Sequence, residues 1–551
     1  MVKIKNGQIY DPANKIKSEV RDLWIRGGKI VEAKDLQEDE MRSAEELDAD
    51  GCIVMPGALE IHSHIAGTKV NIARNMRPED HYSHYRPTSP TTRAGSGHTT
   101  PTTFLTGYEY ASLGYTTAFD AAVSALSARH AHEELEDTPL LDNGFYTLMG
   151  NNYMLMKILS KDQDENTRRE RVKDFVTWLL TSSKGFAIKA VNPGGVEDWK
   201  WNGGGVTLDS PVKPFGVTPR QIIMALSEAA TDLKLPHGLH LHCNHLGEPD
   251  NYLTTLDTMK ALTGHRVHFT HLQFHAYGKT KKGGIKSAAF ELAEFINSHP
   301  EFTCDAGQIV FGPATTMTAD SPMQYRLHKL TKSKWANTDV EMETGSGIVP
   351  IVYRPAALVN AIQWCIGLEI MLLIKNPWQV MMSTDHPNAG PFTDYPNIIR
   401  LLMDSAYRNA VVDSLHPDTK RYTNLQDLTR EYTLEEIAIM TRSAPAKSLG
   451  LCKKGHLGTG ADADLAIYRV GDNKEKMFRY PAYVIKDGRI VAKNGEIVDS
   501  FRTRRFMVKP DADPNLASDL VSDFEQFYSI ELPNFQVEDA YCTYPEVVPC
   551  K

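Results

Sequence analysis

The run Pro56-Gly-Ala-Leu-Glu-Ile-His62-Ser-His64 carries most of the information in this 551-residue chain. Side chains on a strand alternate between faces, so two histidines two positions apart point the same way. At the C-terminal end of a barrel strand that shared face is the mouth, where two imidazoles can bind one metal ion. A chance pair of surface histidines is the plainer alternative. The Pro-Gly break and the apolar run ahead of His62 weigh against it.

Outward from this strand, from about Pro56 to Gly450, short apolar runs alternate with helical stretches. Strands are expected at 185–191, 238–242, 266–271 and 379–384, and helices at 167–180, 218–233, 285–297, 357–374 and 433–441. Such alternation over roughly 400 residues predicts an α/β fold, a (β/α)8 TIM-like barrel with insertions. Two segments, 65–103 and 191–219, read as long loops, the parts of a barrel that build its active site.

Both ends of the chain read as strands and turns. Val2–Tyr10 alternates around Asn6-Gly7, and Leu23–Val31 around Gly27-Gly28. A similar pattern returns at Ala482–Ala492 around Asp487-Gly488, with 458–468 before it. These are hairpin signals. They predict a small β-sandwich domain built from both termini, 1–55 with 451–510, around a barrel of 56–450, and a C-terminal extension of 511–551. Two unrelated β flanks are the alternative.

Sixty basic residues against 69 acidic ones give a net charge of −9, which argues against a nucleic-acid binder. Seven cysteines, none in a Cys-x-x-Cys pair, suit a reducing compartment. The N-terminus has no apolar signal core. Residues 355–374 are too interrupted, by Asn360, Gln363 and Glu369, to span a membrane. The expectation is a cytoplasmic enzyme with neither nucleic-acid nor membrane partners.

Four further segments carry candidate chemistry. In Gly185-Phe-Ala-Ile-Lys189, a lysine near the end of an apolar run is costly to bury as ammonium. A lysine that loses its proton can take up CO2 as a carbamate, a two-oxygen anion able to bridge two divalent metals. A lysine snorkelling to the rim is the alternative. Leu239-His240-Leu-His242-Cys-Asn244-His245 and Val267-His268-Phe-Thr-His271-Leu-Gln-Phe-His275 each offer one imidazole from a strand end. Met382-Ser-Thr-Asp385-His386 is an apolar run ending in a carboxylate, which is also the pattern of a helix cap.

The ordered set His62, His64, Lys189, His242, His271 and Asp385 resembles the amidohydrolase superfamily, its dihydroorotase and hydantoinase branch in particular. That resemblance implies a (β/α)8 barrel, a small β domain from both termini, and two divalent metals bridged by N6-carboxylysine at Lys189. It makes His62 and His64 the first-strand ligands, His242 and His271 those of strands five and six, and Asp385 the catalytic aspartate of strand eight. His240 is a rival to His242. Histidine, carboxylate and carbamate ligands suit zinc, Zn2+, best.

A closer resemblance covers nearly the whole chain. His62–Asn71, Met76-Arg-Pro-Glu-Asp80, Arg93–Gly97, Thr106–Ala111, Ala128–Glu134, Gly150-Asn-Asn152, Thr316–Asp320, Glu343–Gly347 and Asn388–Thr393 are similar to strings in the family of the A subunit of formylmethanofuran dehydrogenase. The same type of chain occurs in a bacterial formyltransferase/hydrolase complex. The family resemblance implies an amidase that interconverts N-formylmethanofuran with formate plus methanofuran, working with other subunits of such a complex. Metal-activated water would attack the formyl carbonyl while Asp385 carries the proton to the leaving amine. Val123-Ser-Ala-Leu126 departs from the archaeal pattern and leans towards the bacterial type. The rivals are a cyclic-amide hydrolase of dihydroorotase type, for which the two long insertions are superfluous, and a non-catalytic scaffold subunit.

Methanofuran carries a polyanionic tail, which a net charge of −9 repels unless the mouth is locally basic. Lys279, Lys281, Lys282 and Lys286 follow the sixth strand and could line that mouth, or mark only a solvated helix start. Candidates for substrate contact are Asn192, Asn244, His245, Lys281 and Lys282.

Overall fold

The structure is a computed structural model and describes every residue except 162, 338–346 and 512–516, and of 517–519 only the backbone. The string at 343–347 therefore lies, apart from Gly347, outside the described residues.

Eight parallel strands form the barrel: β1 (Ala58–Ser63), β2 (Tyr115–Val123), β3 (Asp142–Leu148), β4 (Ala187–Val191), β5 (Leu239–His242), β6 (Val267–Phe269), β7 (Phe302–Asp305) and β8 (Val380–Met381). Each pairs with the next in sequence order. The ring is completed just beyond β8, where Ser63 and His386 form a parallel bridge and the His64 N–H donates to the His386 carbonyl at 2.6 Å. Every residue of these strands but Thr303 is buried, as expected for parallel strands covered by helices on the outside.

Local signals explain the helices. Asp164 caps α1 (Glu165–Ser183) by accepting from the Thr167 N–H at 3.0 Å. Thr218 and Gln221 form a capping box at α2 (Pro219–Asp232), whose first residue is proline. The interrupted apolar stretch at 355–374 becomes α3 (Leu358–Leu373), and Glu369 within it is held by Ser287 and by the Asn424 N–H. Among the described residues no helix is long and apolar enough to cross a membrane.

Two local expectations fail. The helix expected at 285–297 begins only at Ala289, because Ile285–Ser287 pairs antiparallel with Tyr277–Lys279 across a tight Gly283-Gly284 turn. At the N-terminus, Asn6-Gly7 makes no hairpin. Val2–Asp11 is one strand with a bulge there, Asn6 taking φ 63°, and both halves pair with Ile16–Arg26. Gly7 is required at this point, since a Cβ would meet Val54 Cγ2 at 2.6 Å.

Strands from both termini form one nine-stranded sheet in which Cys52–Pro56 pairs antiparallel with Leu465–Arg469. The sheet turns over on itself, so that Gly28 and Asp487 from its two halves meet and Ile4, Ile25, Ile30, Ile467 and Ile485 share one core. The layers of the expected sandwich are thus halves of a single sheet. Arg505–Val508, expected in this small domain, runs parallel beside β3 instead, and the terminal strand Pro545–Val548 pairs with it.

Barrel and sheet are joined by a buried ionic network. Lys454 reaches Asp142 at the start of β3, Asp464 at 2.5 Å and Asp462 at 2.9 Å. Lys486 pairs with Asp142 at 3.0 Å, and Arg504 with Asp462 at 2.8 Å. Removing one partner from such a cluster leaves an uncompensated buried charge, at a cost of about 3–5 kcal/mol.

Candidate metal centre

At the mouth of the barrel His62 Nε2 and His64 Nε2 stand 3.0 and 2.9 Å from the same oxygen, Oδ1 of Asp385. The period-two spacing that put both imidazoles on one face of β1 brings them here, and all three side chains are buried. Asn388 donates to Asp385 Oδ1 at 2.9 Å. Burial opposes the charge of Asp385, but His62 and His271 outweigh it and hold the carboxyl well below its usual range.

The opposite edges of the two imidazoles are held from outside. His64 Nδ1 lies 2.9 Å from the buried Lys69 Nζ, which donates to Asp120 and to the Ala122 carbonyl. Burial and this lysine lower His64 to about 4. His62 Nδ1 faces Asp305 Oδ2 at 3.3 Å and His240 Nε2 at 3.0 Å. His240 is also engaged on its other side, Nδ1 with His237 Nε2 at 3.0 Å, so it sits beneath His62. His242, two residues further along β5, is its last residue and faces Asp320 Oδ2 at 3.1 Å.

Lys189 is buried on β4, beside His240 in register. Its Nζ donates to Thr270 Oγ1 at 3.5 Å, with Asp385 and Asp305 the nearby negative charges that act on it. Burial lowers it to about 7, so a large neutral fraction exists near physiological pH. The hydroxyl of Thr270 also meets His271 Nε2 at 2.9 Å. His271 takes φ 35°, with its backbone N–H donating to Asp305 Oδ1 at 2.6 Å. Gly307 makes room for this turn: a Cβ there would lie 3.2 Å from His271 Cβ. Asn192, His245 and Asp385 also adopt positive φ just past β4, β5 and β8. Each such residue costs of order 1–3 kcal/mol, the kind of strain that accumulates at functional sites.

The expected substrate contacts divide. Asn192 donates to Asp320 Oδ1 at 3.0 Å and Asn244 to Asn192 Oδ1 at 2.8 Å, so the two support the partner of His242. Asn192 and His245 line a side cavity of about 180 Å³. Lys279, Lys281 and Lys282 are exposed, as is Lys286, on the Tyr277–Ser287 hairpin. They are not among the residues lining the larger cavity of about 730 Å³ that has Asp385 and Asn388 in its wall. The basic side chains that do line it are Arg77, Arg326, Lys334 and Arg354, against the acidic Glu79 and Asp385.

The donor set suits a divalent cation. Buried imidazoles and carboxylates converge, with ligand atoms of His62, His271 and Asp385 within 4.8 Å of one another, and likewise those of His242, His271 and His275. His271 Nδ1 is buried with no hydrogen-bond partner. Sequence reasoning did not single out Asp305, Asp320, Lys69 or Asn388. Asp305 ends a short apolar run, as Asp385 does, and was open to the same reading. Asp320, Lys69 and Asn388 lie inside the quoted family strings.

An eight-stranded parallel barrel with histidines, a lysine and an aspartate at its strand ends defines a metal-dependent hydrolase of the amidohydrolase kind, and residues 45–492 match the model of that family. The chain belongs to the amidohydrolase family, which implies use of a divalent metal. It is 43% identical to Protein FwdA of Methanocaldococcus jannaschii, over 98% of this chain and 97% of the relative. It is 37% identical to the A subunit of the formyltransferase/hydrolase complex Fhc of Methylorubrum extorquens, over 99% and 98%. In structure it matches a chain of the Methylorubrum extorquens formyltransferase/hydrolase complex FhcABCD, crystallised with methylofuran, with a TM-score of 0.92, 36% identity and complete coverage of both chains. Identity is higher to the archaeal relative, so the lean drawn from Val123–Leu126 gains no support. A dihydroorotase of Elusimicrobium minutum matches over only 11% of the chain.

Proposed function

We propose that this chain hydrolyses and forms the formamide bond of N-formylmethanofuran, releasing or consuming formate and methanofuran, as the A subunit of a multisubunit one-carbon complex. The observation that carries the reading is the full-length match, at a TM-score of 0.92, to a chain of a complex crystallised with methylofuran. The converging donors at the mouth supply the chemistry such an activity needs.

In this reading His62, His64 and Asp385 would hold one divalent ion and His242 and His271 a second, with Lys189, once carboxylated, supplying an anionic ligand to the pair. Zinc fits these donors best. A divalent ion held there would supply Lewis acidity to the formyl carbonyl and to water, whose pKa such an ion lowers to about 7. The chain does the rest. Asp385, kept ionised, takes the proton of the attacking water and delivers it to the amine as the C–N bond breaks. Asn388 holds the carboxylate in position for both transfers. Lys334 and Arg354 on the cavity wall offer positive charge to the polyanionic tail of methanofuran, whereas Arg326 is paired with Glu248. Compartment and companion subunits follow the same reading: a cytoplasmic complex.

The test is formate release by the natively purified complex, with N-formylmethanofuran run beside dihydroorotate and hydantoin. Release from the first substrate alone is expected. Turnover of a cyclic amide in its place would move the chain to the dihydroorotase type, and release from none by metal-replete protein would leave it a scaffold.

A further inference from the structure

His275 has no task in the site as described so far. It is 1% exposed, and neither ring nitrogen meets a hydrogen-bond partner. An unpaired buried polar group costs about 1–3 kcal/mol. Native interiors rarely keep one without a reason, a bound water or ion among them.

The surroundings of His275 narrow the choice. Leu272–His275 is a single tight helical turn directly after His271, which stacks the rings of 271 and 275 at 5.4 Å between centroids and 25° between planes. The ring of His242 stands 5.3 Å away, edge-on. One nitrogen from each of the three imidazoles lies within 4.8 Å of the other two. Two of these rings are already committed at one edge: His242 Nε2 to Asp320 and His271 Nε2 to Thr270. That leaves His242 Nδ1, and it leaves His271 Nδ1 and both nitrogens of His275 unpartnered. A carboxylate or backbone partner on one edge of an imidazole is the usual arrangement around a metal held by the other edge.

We propose that His275 is a third imidazole ligand to the metal ion held by His242 and His271. The inference rests on the two-metal reading above and adds a ligand to it. Three imidazoles with one anionic oxygen make a four-ligand set of the kind zinc accepts.

Two measurements on the natively purified, zinc-loaded protein test this. The first is a crystal structure with anomalous data at the zinc edge. A His275 nitrogen should lie about 2.0–2.1 Å from one ion, the usual zinc–imidazole distance. Both nitrogens hydrogen-bonded to water or substrate atoms, away from either ion, would overturn the proposal. The second is metal content against chelator concentration for H275Q. Losing a supporting partner of a ligand weakens binding about 10–100-fold, so losing a ligand should weaken the second equivalent by at least that much and leave the first in place. Retention of both equivalents with wild-type affinity would overturn it. Fewer than two equivalents in the metal-replete wild type would instead overturn the two-metal reading, and the inference with it.

Discussion

Asp320 Oδ2 meets His242 Nε2 at 3.1 Å, although 78 residues separate them in sequence. The carboxylate engages one edge of the imidazole and leaves the other free for the proposed ion, and both side chains are buried. Burial opposes the charge of Asp320, and His242 with Asn192 outweighs that and keeps the group ionised. Asp320→Ala is expected to weaken the ion on His242 by about 10–100-fold, the usual loss when a ligand's outer partner is removed. Metal content after dialysis against a graded chelator measures it.

Asp385→Asn should fold and, assayed at saturating zinc to offset the loss of one anionic ligand, lower turnover by about 10²–10⁴-fold, the contribution of a positioned acid–base group. Single-turnover formate release checks it. Near wild-type turnover would move the proton transfer to another group, with His245 and His386 the first to test.

Much of the candidate site was legible in sequence because the side chains that converge there sit at strand ends, where period and local composition speak. His62 and His64 follow an apolar run at spacing two, Lys189 interrupts one, and Asp385 ends one. The supporting layer was not. Asp305 and Asp320 acquire roles only when the barrel brings β7 and the segment before Ser321 against His62 and His242. The lysines at 279–286 stayed open between mouth and solvated surface for a related reason. Proximity to β6 in sequence suggested the mouth, but pairing of Ile285–Ser287 with Tyr277–Lys279 places them on a hairpin outside the cavity wall.

The cavity wall gives a separate prediction about the substrate's tail. Lys334→Glu combined with Arg354→Glu should raise KM for N-formylmethanofuran about tenfold or more, leave kcat nearly unchanged, and flatten the dependence of KM on salt. Lys281→Glu with Lys282→Glu is the control and should change KM little. The opposite pattern would return the tail to the hairpin.

Stability should depend on pH through the network that joins barrel and sheet. Burial works against the charges of Asp142 and Asp462, but the surrounding Lys454 and Arg504, with Lys486 at Asp142, hold both well below the usual carboxylate range. Their contribution is complete above the unfolded value of about 3.9 and is lost as pH falls towards the folded values. Burial likewise opposes the charge of Lys454, while Asp142 and Asp464 raise it above its ordinary value. Its contribution is complete below about 10.4 and is lost as pH rises towards the folded value. Melting temperature should therefore be flat near neutrality and fall at both extremes. Lys454→Met should cost about 3–5 kcal/mol at neutral pH, measured by denaturant titration of the purified chain.

The central claim is that water cleaves a formamide here, with Lys189 essential to the metal centre. Single-turnover cleavage of N-formylmethanofuran in 18O-labelled water, with mass analysis of the formate, tests it most directly. The account predicts formate carrying one 18O atom from the metal-replete wild-type complex, and none released by Lys189→Ala. Formate without the label, or labelled formate at undiminished rate from Lys189→Ala, would contradict it.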